Sequence, residues 1–188
     1  MAKNKKNEIL RAAYELFVEN GYDNTSMKMI ARLANTPQSH IYNFYESKEL
    51  LFEAALRMAQ DCFQAKMIAV AQEYAGAPPE AYIGKCCEVI FENRSELGFI
   101  IASALTPKLQ SRTDPLLKEY SEGMTEMMKP LFPGCPDELL RDIGSLLLAV
   151  SDSLLIDGDR ERGIRTAVFA IKLFQNYMND LDNGGQHK

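Results

Sequence analysis

Five polar side chains lie close together between residues 38 and 43, at the start of a short predicted helix. They are Gln38, Ser39, His40, Tyr42 and Asn43. Each can donate or accept a hydrogen bond, so together they could contact base edges in a DNA groove or the phosphates beside it. An ordinary solvated helix would carry more Glu and Lys at these positions. The pattern therefore favours a nucleic-acid-binding surface.

Two short helices separated by a tight break must position these side chains. The break is Asn35-Thr36-Pro37: asparagine tolerates the left-handed conformation, threonine can cap the next helix, and proline suits a first helical position. Apolar residues recur at helical spacing on both sides of the break. This pattern predicts a helix-turn-helix whose second helix starts near Gln38. Its predicted shared core is Met29, Ile30, Leu33, Ala34, Ile41, Phe44 and Tyr45.

Two lysines stand beside predicted helix N-termini, Lys28 after the cap candidate Thr25 and Lys48 after the cap candidate Ser47. A cation there opposes the helix dipole at a cost of about 0.3–1 kcal/mol, which makes sense if a DNA phosphate meets both sites. Either lysine alone would be read as an exposed residue of no consequence. The predicted DNA contacts are Thr25, Lys28, Gln38, Ser39, His40, Tyr42, Asn43 and Lys48.

Residues 25–50, TSMKMIARLANTPQSHIYNFYESKEL, resemble the DNA-binding signature of the TetR/AcrR family of bacterial transcriptional regulators. In that family a threonine opens the second helix, Ile-Ala follows, and a Tyr and a Lys flank the end of the recognition helix. Asn35 stands where the family usually has Gly, and Pro37 stands where it often has Ser. The resemblance covers the first third of the chain. It implies a repressor that binds a palindromic operator in double-stranded DNA as a homodimer and is released by a small apolar effector.

The composition of the whole chain indicates an all-α fold. Its 188 residues are 46% hydrophobic, Val and Thr are sparse, and no long stretch alternates with period two. We expect a three-helix DNA-binding domain at residues 1–46, with a first helix at about 6–19. A helical effector-binding and dimerisation domain should follow at 47–182, opening with one long helix over about 47–74, and residues 183–188 should be a disordered tail.

The last two predicted helices carry more apolar surface than one face needs, which suggests a partner surface. In the TetR family the corresponding helices form a four-helix dimer interface. The alternative is that these residues are buried within a monomer. The predicted interface residues are Ile143, Leu147, Val150, Leu154, Ile164, Val168, Ile171 and Met178.

The resemblance also implies an effector pocket among the middle helices. Adaptable methionines and aromatic rings suit an apolar site, although in any helical bundle most such residues are simply core. The candidate pocket residues are Phe63, Met67, Phe91, Phe99, Tyr120, Met124 and Met128.

Charge and chemistry narrow the functional class. The net charge is −5, but residues 1–50 carry seven basic and six acidic residues and residues 51–188 carry fourteen and twenty, so the acid lies away from the predicted DNA surface. His40 and His187 are the only histidines, so neither a histidine-based triad nor a His-rich metal site can be assembled. We expect no enzymatic activity, no cofactor and no metal.

The four cysteines lack Cys-x-x-Cys spacing and fall mostly in apolar surroundings, which indicates reduced, packed thiols; a redox role for Cys86 or Cys87 stays open. No apolar run approaches the ~20 residues needed to span a membrane, so the expected location is the cytoplasm.

A competing interpretation is a helical small-molecule-binding or interaction protein in which the DNA-binding domain predicted at residues 1–46, called the head below, is vestigial. Retardation of DNA from upstream of its own gene would separate the two.

Overall fold

The structure is a computed structural model that describes residues 2–104, 106–129, 132, 134–144 and 159–184. Within these ranges every regular element is helical, which confirms the all-α prediction. A 3-10 turn lies at Pro107–Leu109, and a helical segment at residues 137–144 is labelled α8. The other helices are α1 (Ala2–Asn24), α2 (Met27–Leu33), α3 (Gln38–Tyr42), α4 (Lys48–Glu73), α5 (Pro79–Glu92), α6 (Arg94–Ala104), α7 (Gln110–Met128) and α9 (Arg160–Gly184).

The chain forms two compact units. The first comprises Met1–Phe63 with Ser95–Glu119, and the second comprises Gln64–Arg94 with Tyr120–Lys188. This division differs from the boundary at residue 46 that the sequence suggested, because the first unit includes α6, the start of α4 and the start of α7. The helices α4 and α7 therefore each contribute residues to both units.

The core of the first three helices forms much as the helical spacing predicted. Ile30 of α2, the C-cap residue Ala34, Ile41 of α3 and Tyr45 are all buried. α2 packs on both α1 and α3. Two expected core residues, Met29 and Leu33, are instead exposed, Leu33 to 50%. A helix of seven residues has fewer than two full turns, so only one narrow stripe of α2 faces inward.

The starts of the first two helices differ from the sequence-based prediction. α1 begins at Ala2 rather than at about residue 6, and its helical geometry breaks at Gly21, whose φ of 74° favours glycine, close to the predicted end at about residue 19. A further short helical stretch follows to Asn24. Ser26 caps α2, since its hydroxyl accepts a hydrogen bond from the amide of Met29 at 3.2 Å. The predicted opening residue, Thr25, is buried one position earlier.

In the second unit, α9 packs on α5 and buries Ala167 and Ile171. The Lys172 ammonium lies 3.4 Å from a Glu80 carboxylate oxygen. The opposite side of α9 carries an apolar stripe of three exposed side chains, each more than half exposed and spaced four residues apart. This α9 stripe consists of Phe169, Leu173 and Tyr177.

The predicted dimer-interface residues fall into three groups. Ile143 and Ile171 are buried within the described chain, and Ile164, Val168 and Met178 are half-buried. Leu147, Val150 and Leu154 lie outside the described residues, as do positions 185–188 of the predicted tail. α9 continues to Gly184, so residues 183 and 184 are helical. In the part of the chain that the structure describes, no helix is both long and apolar enough to cross a membrane.

Candidate nucleic-acid interface

The turn between α2 and α3 places the recognition-helix candidate where the sequence predicted it. Asn35 adopts a φ of 46°, in the left-handed region, and the amide of Thr36 donates to the carbonyl of Ala31 at 3.0 Å. Pro37 then occupies the N-cap position with an extended ψ of 142°, and α3 begins at Gln38. The Asn-Thr-Pro sequence thus ends one helix and starts the next within four residues.

The candidate base-contacting side chains of α3 are mostly on its open face. Gln38, Ser39, Tyr42 and Asn43 are exposed, whereas Ile41 is fully buried beneath them. These four residues, which we call the α3 face, present amide, hydroxyl and phenol groups to the outside.

His40, the fifth candidate, is half-buried beside the α3 face. Its Nδ1 lies 3.1 Å from the Thr36 hydroxyl, and its ring lies 5.3 Å from the Phe44 ring. The threonine expected to cap α3 therefore holds a histidine of that helix. His40 consequently helps to fix the helix and has one ring nitrogen already engaged.

Two candidate DNA contacts near the start of α2, Lys28 and Thr25, differ in their exposure. The side chain of Lys28 is exposed in the first turn of the helix, where it can reach a phosphate. Thr25 is 1% exposed, and its hydroxyl lies 2.8 Å from the carbonyl of Gly21 and 3.0 Å from that of Leu16. The structure therefore gives the Thr25 side chain a role in joining α1 to α2 and does not support it as a direct DNA contact.

Lys48 lies at the first position of α4, after Ser47, whose hydroxyl accepts from the Leu50 amide at 3.2 Å as predicted for an N-cap. The Lys48 ammonium lies 4.1 Å from the centroid of the Tyr22 ring, an attractive cation–π arrangement. Partial burial lowers the pKa of Lys48 from its ordinary value. A phosphate contact by Lys48 would therefore compete with this contact inside the chain.

The Tyr22 phenol connects the end of α1 to the start of α4. Its hydroxyl donates to a Glu49 carboxylate oxygen at 2.7 Å, and this hydrogen bond is the main cause that lowers the pKa of Glu49. Burial, reinforced by the nearby carboxylate, raises the pKa of Tyr22 well above 10, so the phenol remains a donor at neutral pH. Sequence spacing did not reveal this hydrogen bond, because the partners are 27 residues apart.

The candidate effector residues are divided between the two units. Phe63 and Phe99 belong to the first unit, and Met67, Phe91, Tyr120, Met124 and Met128 belong to the second. Phe63, Met67, Phe99 and Met128 are buried, and the other three are half-buried. Burial raises the pKa of the Tyr120 phenol above its ordinary value of 10, which keeps that ring neutral.

The first unit contains a cleft of about 560 Å³ between the end of α1, the start of α4 and α6. Its size lies within the range of small-molecule pockets, and its wall combines aromatic rings with hydroxyl groups. Phe52 lies at the centre of the ring cluster, with ring centroids 5.0–5.4 Å from those of its three neighbours. The main lining residues are Phe17, Tyr22, Phe52, Phe99, Ser103 and Thr106.

The four cysteines differ in their burial. Cys86 and Cys87 are buried, and burial raises the pKa of Cys86 to about 12 and that of Cys87 to about 11, so both thiols are protonated at neutral pH. Cys62 is exposed. The described residues contain no group of three or more His, Cys, Asp or Glu placed to hold a metal ion.

Comparison with known proteins links this geometry to one family. Residues 9–55 match the family model of bacterial regulatory proteins, tetR family. The HTH-type transcriptional regulator YhgD of Bacillus subtilis is 42% identical over 53 residues, which are 28% of this chain and 28% of YhgD. The chain thus matches about a third or less of the length of the first curated relatives.

Solved structures match over much more of the chain. A tetR-family transcriptional regulator from Streptomyces coelicolor superimposes with a TM-score of 0.76 over 94% of this chain and 81% of its own, at 20% identity. The multidrug binding protein EbrR, complexed with imidazole, gives a TM-score of 0.68 over 88% of this chain and 94% of its own, at 19% identity. At this level of identity these matches establish the fold. The curated relatives are transcriptional regulators rather than enzymes.

Proposed function

We propose that the chain, whose residues 9–55 match the tetR family of bacterial regulatory proteins, is a cytoplasmic transcription repressor of that family. It binds a palindromic DNA operator as a homodimer and leaves the operator when a small apolar effector binds. The observation that carries the proposal is the α3 face, four exposed polar side chains on a short helix and at its C-cap, above the buried Ile41. Such a face matches the donor and acceptor pattern of the major groove.

The residues of the head divide between base and phosphate contacts. Gln38 and Ser39 lie at the N-terminal end of α3, the end that reaches base edges in helix-turn-helix proteins. We assign phosphate contacts to Tyr42 and Lys28, because the phenol is exposed at the other end of α3 and the ammonium is exposed on α2. Lys48 joins them only if it leaves the ring of Tyr22.

Dimerisation supplies the second head. One helix-turn-helix binds DNA weakly, whereas two that are about 34 Å apart meet successive major grooves of a palindrome. The α9 stripe offers a single apolar face for a second copy, since residues spaced by four lie on the same side of a helix. Ile171 supports this surface from within the chain and does not form part of it.

Effector binding acts on the same two-headed arrangement. EbrR is a multidrug binding protein of the same fold, and the aromatic and methionine side chains of this chain suit apolar ligands of that type. An effector that binds one conformer better shifts the population toward it. Because α4 and α7 contribute residues to both units, either helix can carry a change in head separation.

The test is selection of DNA from a random duplex library by the full chain, followed by affinity measurements with the selected operator. Tyr42→Ala should weaken binding to every sequence, and Tyr74→Ala, at a half-buried tyrosine of the second unit, is the matched control. Addition of apolar compounds should release the DNA. If the wild-type chain enriches no sequence, the head is vestigial and the helical protein binds small molecules for another purpose.

A further inference from the structure

The side chain of Lys5 in α1 points at the turn of the helix-turn-helix, 29 residues further along the chain. Its ammonium donates to the carbonyl of Ala34 at 3.0 Å and lies 3.4 Å from the carbonyl of Asn35. Glu8, one turn along α1, accepts a third bond at 2.8 Å. The Lys5 side chain is 27% exposed, so the contact is partly shielded from water.

These two carbonyls are where the turn needs a donor. The last carbonyls of a helix have no partner within it, and the C-terminal end of the helix carries partial negative charge. The amides of Asn35 and Thr36 already bond back to the carbonyls of Arg32 and Ala31. An ammonium at the carbonyls of Ala34 and Asn35 therefore completes the end of α2 beside a residue with a φ of 46°.

We propose that Lys5 is a positioning residue for DNA recognition: its ammonium fastens the end of α2 to α1 and thereby sets the direction in which α3 leaves the turn. This inference rests on the proposed function only for its effect on DNA. A lysine ammonium has three N–H donors, and three oxygens within 3.4 Å of Lys5 use them. A phosphate would have to displace one of these oxygens.

The first experiment needs no DNA. Amide hydrogen exchange is measured in the full chain for wild type, Lys5→Met and Lys28→Met, the last being a matched loss of an exposed lysine on α2. Lys5→Met should speed exchange of the Asn35 and Thr36 amides about 3- to 10-fold, which corresponds to loss of one hydrogen bond in a local opening. Lys28→Met should leave those amides at the wild-type rate.

The second experiment measures the salt dependence of binding to the selected operator. Lys5→Met should weaken binding about 3- to 10-fold at every salt concentration, because turn geometry rather than a phosphate contact is lost. Its log–log slope against salt should equal that of wild type. Lys28→Met should lower the slope by about 0.9 for each head, as expected when one phosphate contact is removed.

Glu8→Gln distinguishes a phosphate contact from a positioning role, because each role predicts a change in a different measurement. If Lys5 contacted phosphate, removal of the Glu8 carboxylate would free the ammonium and tighten binding; if Lys5 positions the turn, the same change loosens the ammonium and speeds exchange at Asn35 and Thr36. Unchanged exchange in Lys5→Met, or a slope lowered as in Lys28→Met, overturns the proposal. If the wild-type chain selects no DNA sequence, the proposed function fails, while the exchange experiment still decides the role of Lys5 in the turn.

Discussion

Replacement of Tyr22 by Phe tests the hydrogen bond that connects the end of α1 to the start of α4. The change removes only the phenolic hydroxyl, which donates to Glu49 at 2.7 Å. The ring remains, with its contacts to Phe52 at 5.1 Å and to the Lys48 ammonium at 4.1 Å. Any loss of stability therefore reports on the hydrogen bond rather than on packing.

The size of the effect follows from the environment of the two groups. A hydrogen bond to a charged partner contributes about 1.5–3 kcal/mol, and the half-buried state of both residues reduces this to about 1–1.5 kcal/mol. For a chain of this length, that loss lowers Tm by about 2–6 °C. Glu49→Gln should cost a similar amount, and the double variant should cost less than the sum because both changes remove the same interaction.

The effect should depend on pH in one direction. The hydrogen bond from Tyr22 lowers the pKa of Glu49 relative to the unfolded chain, so its contribution is fully present above the ordinary Glu pKa of about 4.3. The contribution is lost as the pH falls through the lowered pKa of the folded state. Tyr22→Phe should therefore destabilise the protein more at pH 7 than at pH 3.

Urea unfolding at fixed protein concentration, at pH 7 and at pH 3, measures both quantities. Tyr42→Phe is the matched control, because Tyr42 is exposed and its ring is preserved; its free energy of unfolding should equal that of wild type. A Tyr22→Phe variant as stable as wild type at pH 7, or equally destabilised at both pH values, would refute the reasoning.

Three further predictions concern other parts of the chain. Gln38→Ala should change the base preference at one operator position by about 1–3 kcal/mol, measured by repeating the library selection; an identical preferred sequence would remove Gln38 from base readout. Replacing all three residues of the α9 stripe by Ser should convert a dimer to monomers in sedimentation velocity, and an unchanged dimer would place the interface elsewhere. A thiol reagent at pH 8 should modify Cys62 quickly and leave Cys86 and Cys87 unmodified in the folded chain, because burial holds the pKa of Cys86 near 12 and that of Cys87 near 11; fast reaction of either buried thiol would contradict their burial.

The sequence was a good guide where one local signal decided the outcome. Pro37 favours the start of a helix, so the beginning of α3 at Gln38 was predictable, as was the Ser47 cap before α4. It was a poor guide where neighbouring residues compete for one position. Thr25 and Ser26 are both good caps, and only packing beneath α1 decides that Thr25 is buried and that Ser26 caps α2.

Long-range contacts were outside the reach of local patterns. Helical spacing shows that α2 has an apolar stripe but not how wide it is, so the exposure of Leu33 was missed. A lysine that donates to carbonyls 29 residues away leaves no mark in its own segment, so the contact of Lys5 with the turn could not be predicted from the sequence around it. The same limit applies to the bond between Tyr22 and Glu49.

The positions of the lysines also change the expected source of DNA affinity. Lys5 is engaged with backbone carbonyls, Lys6 lies 5.5 Å from the Tyr45 ring, and Lys48 lies on the Tyr22 ring. On α2, Lys28 and Arg32 remain exposed, and at about 0.9 per phosphate they account for a salt slope of about 1.8 per head or 3.6 per dimer. This is well below the slope of about 10 that strongly electrostatic repressors can show. With a net charge of −5 and two exposed cations on α2 of each head, the chain should gain much of its affinity from base contacts and from joining two heads, which makes binding of the second head intramolecular. It follows that separating the protomers should weaken operator binding more than removing any one lysine of the head.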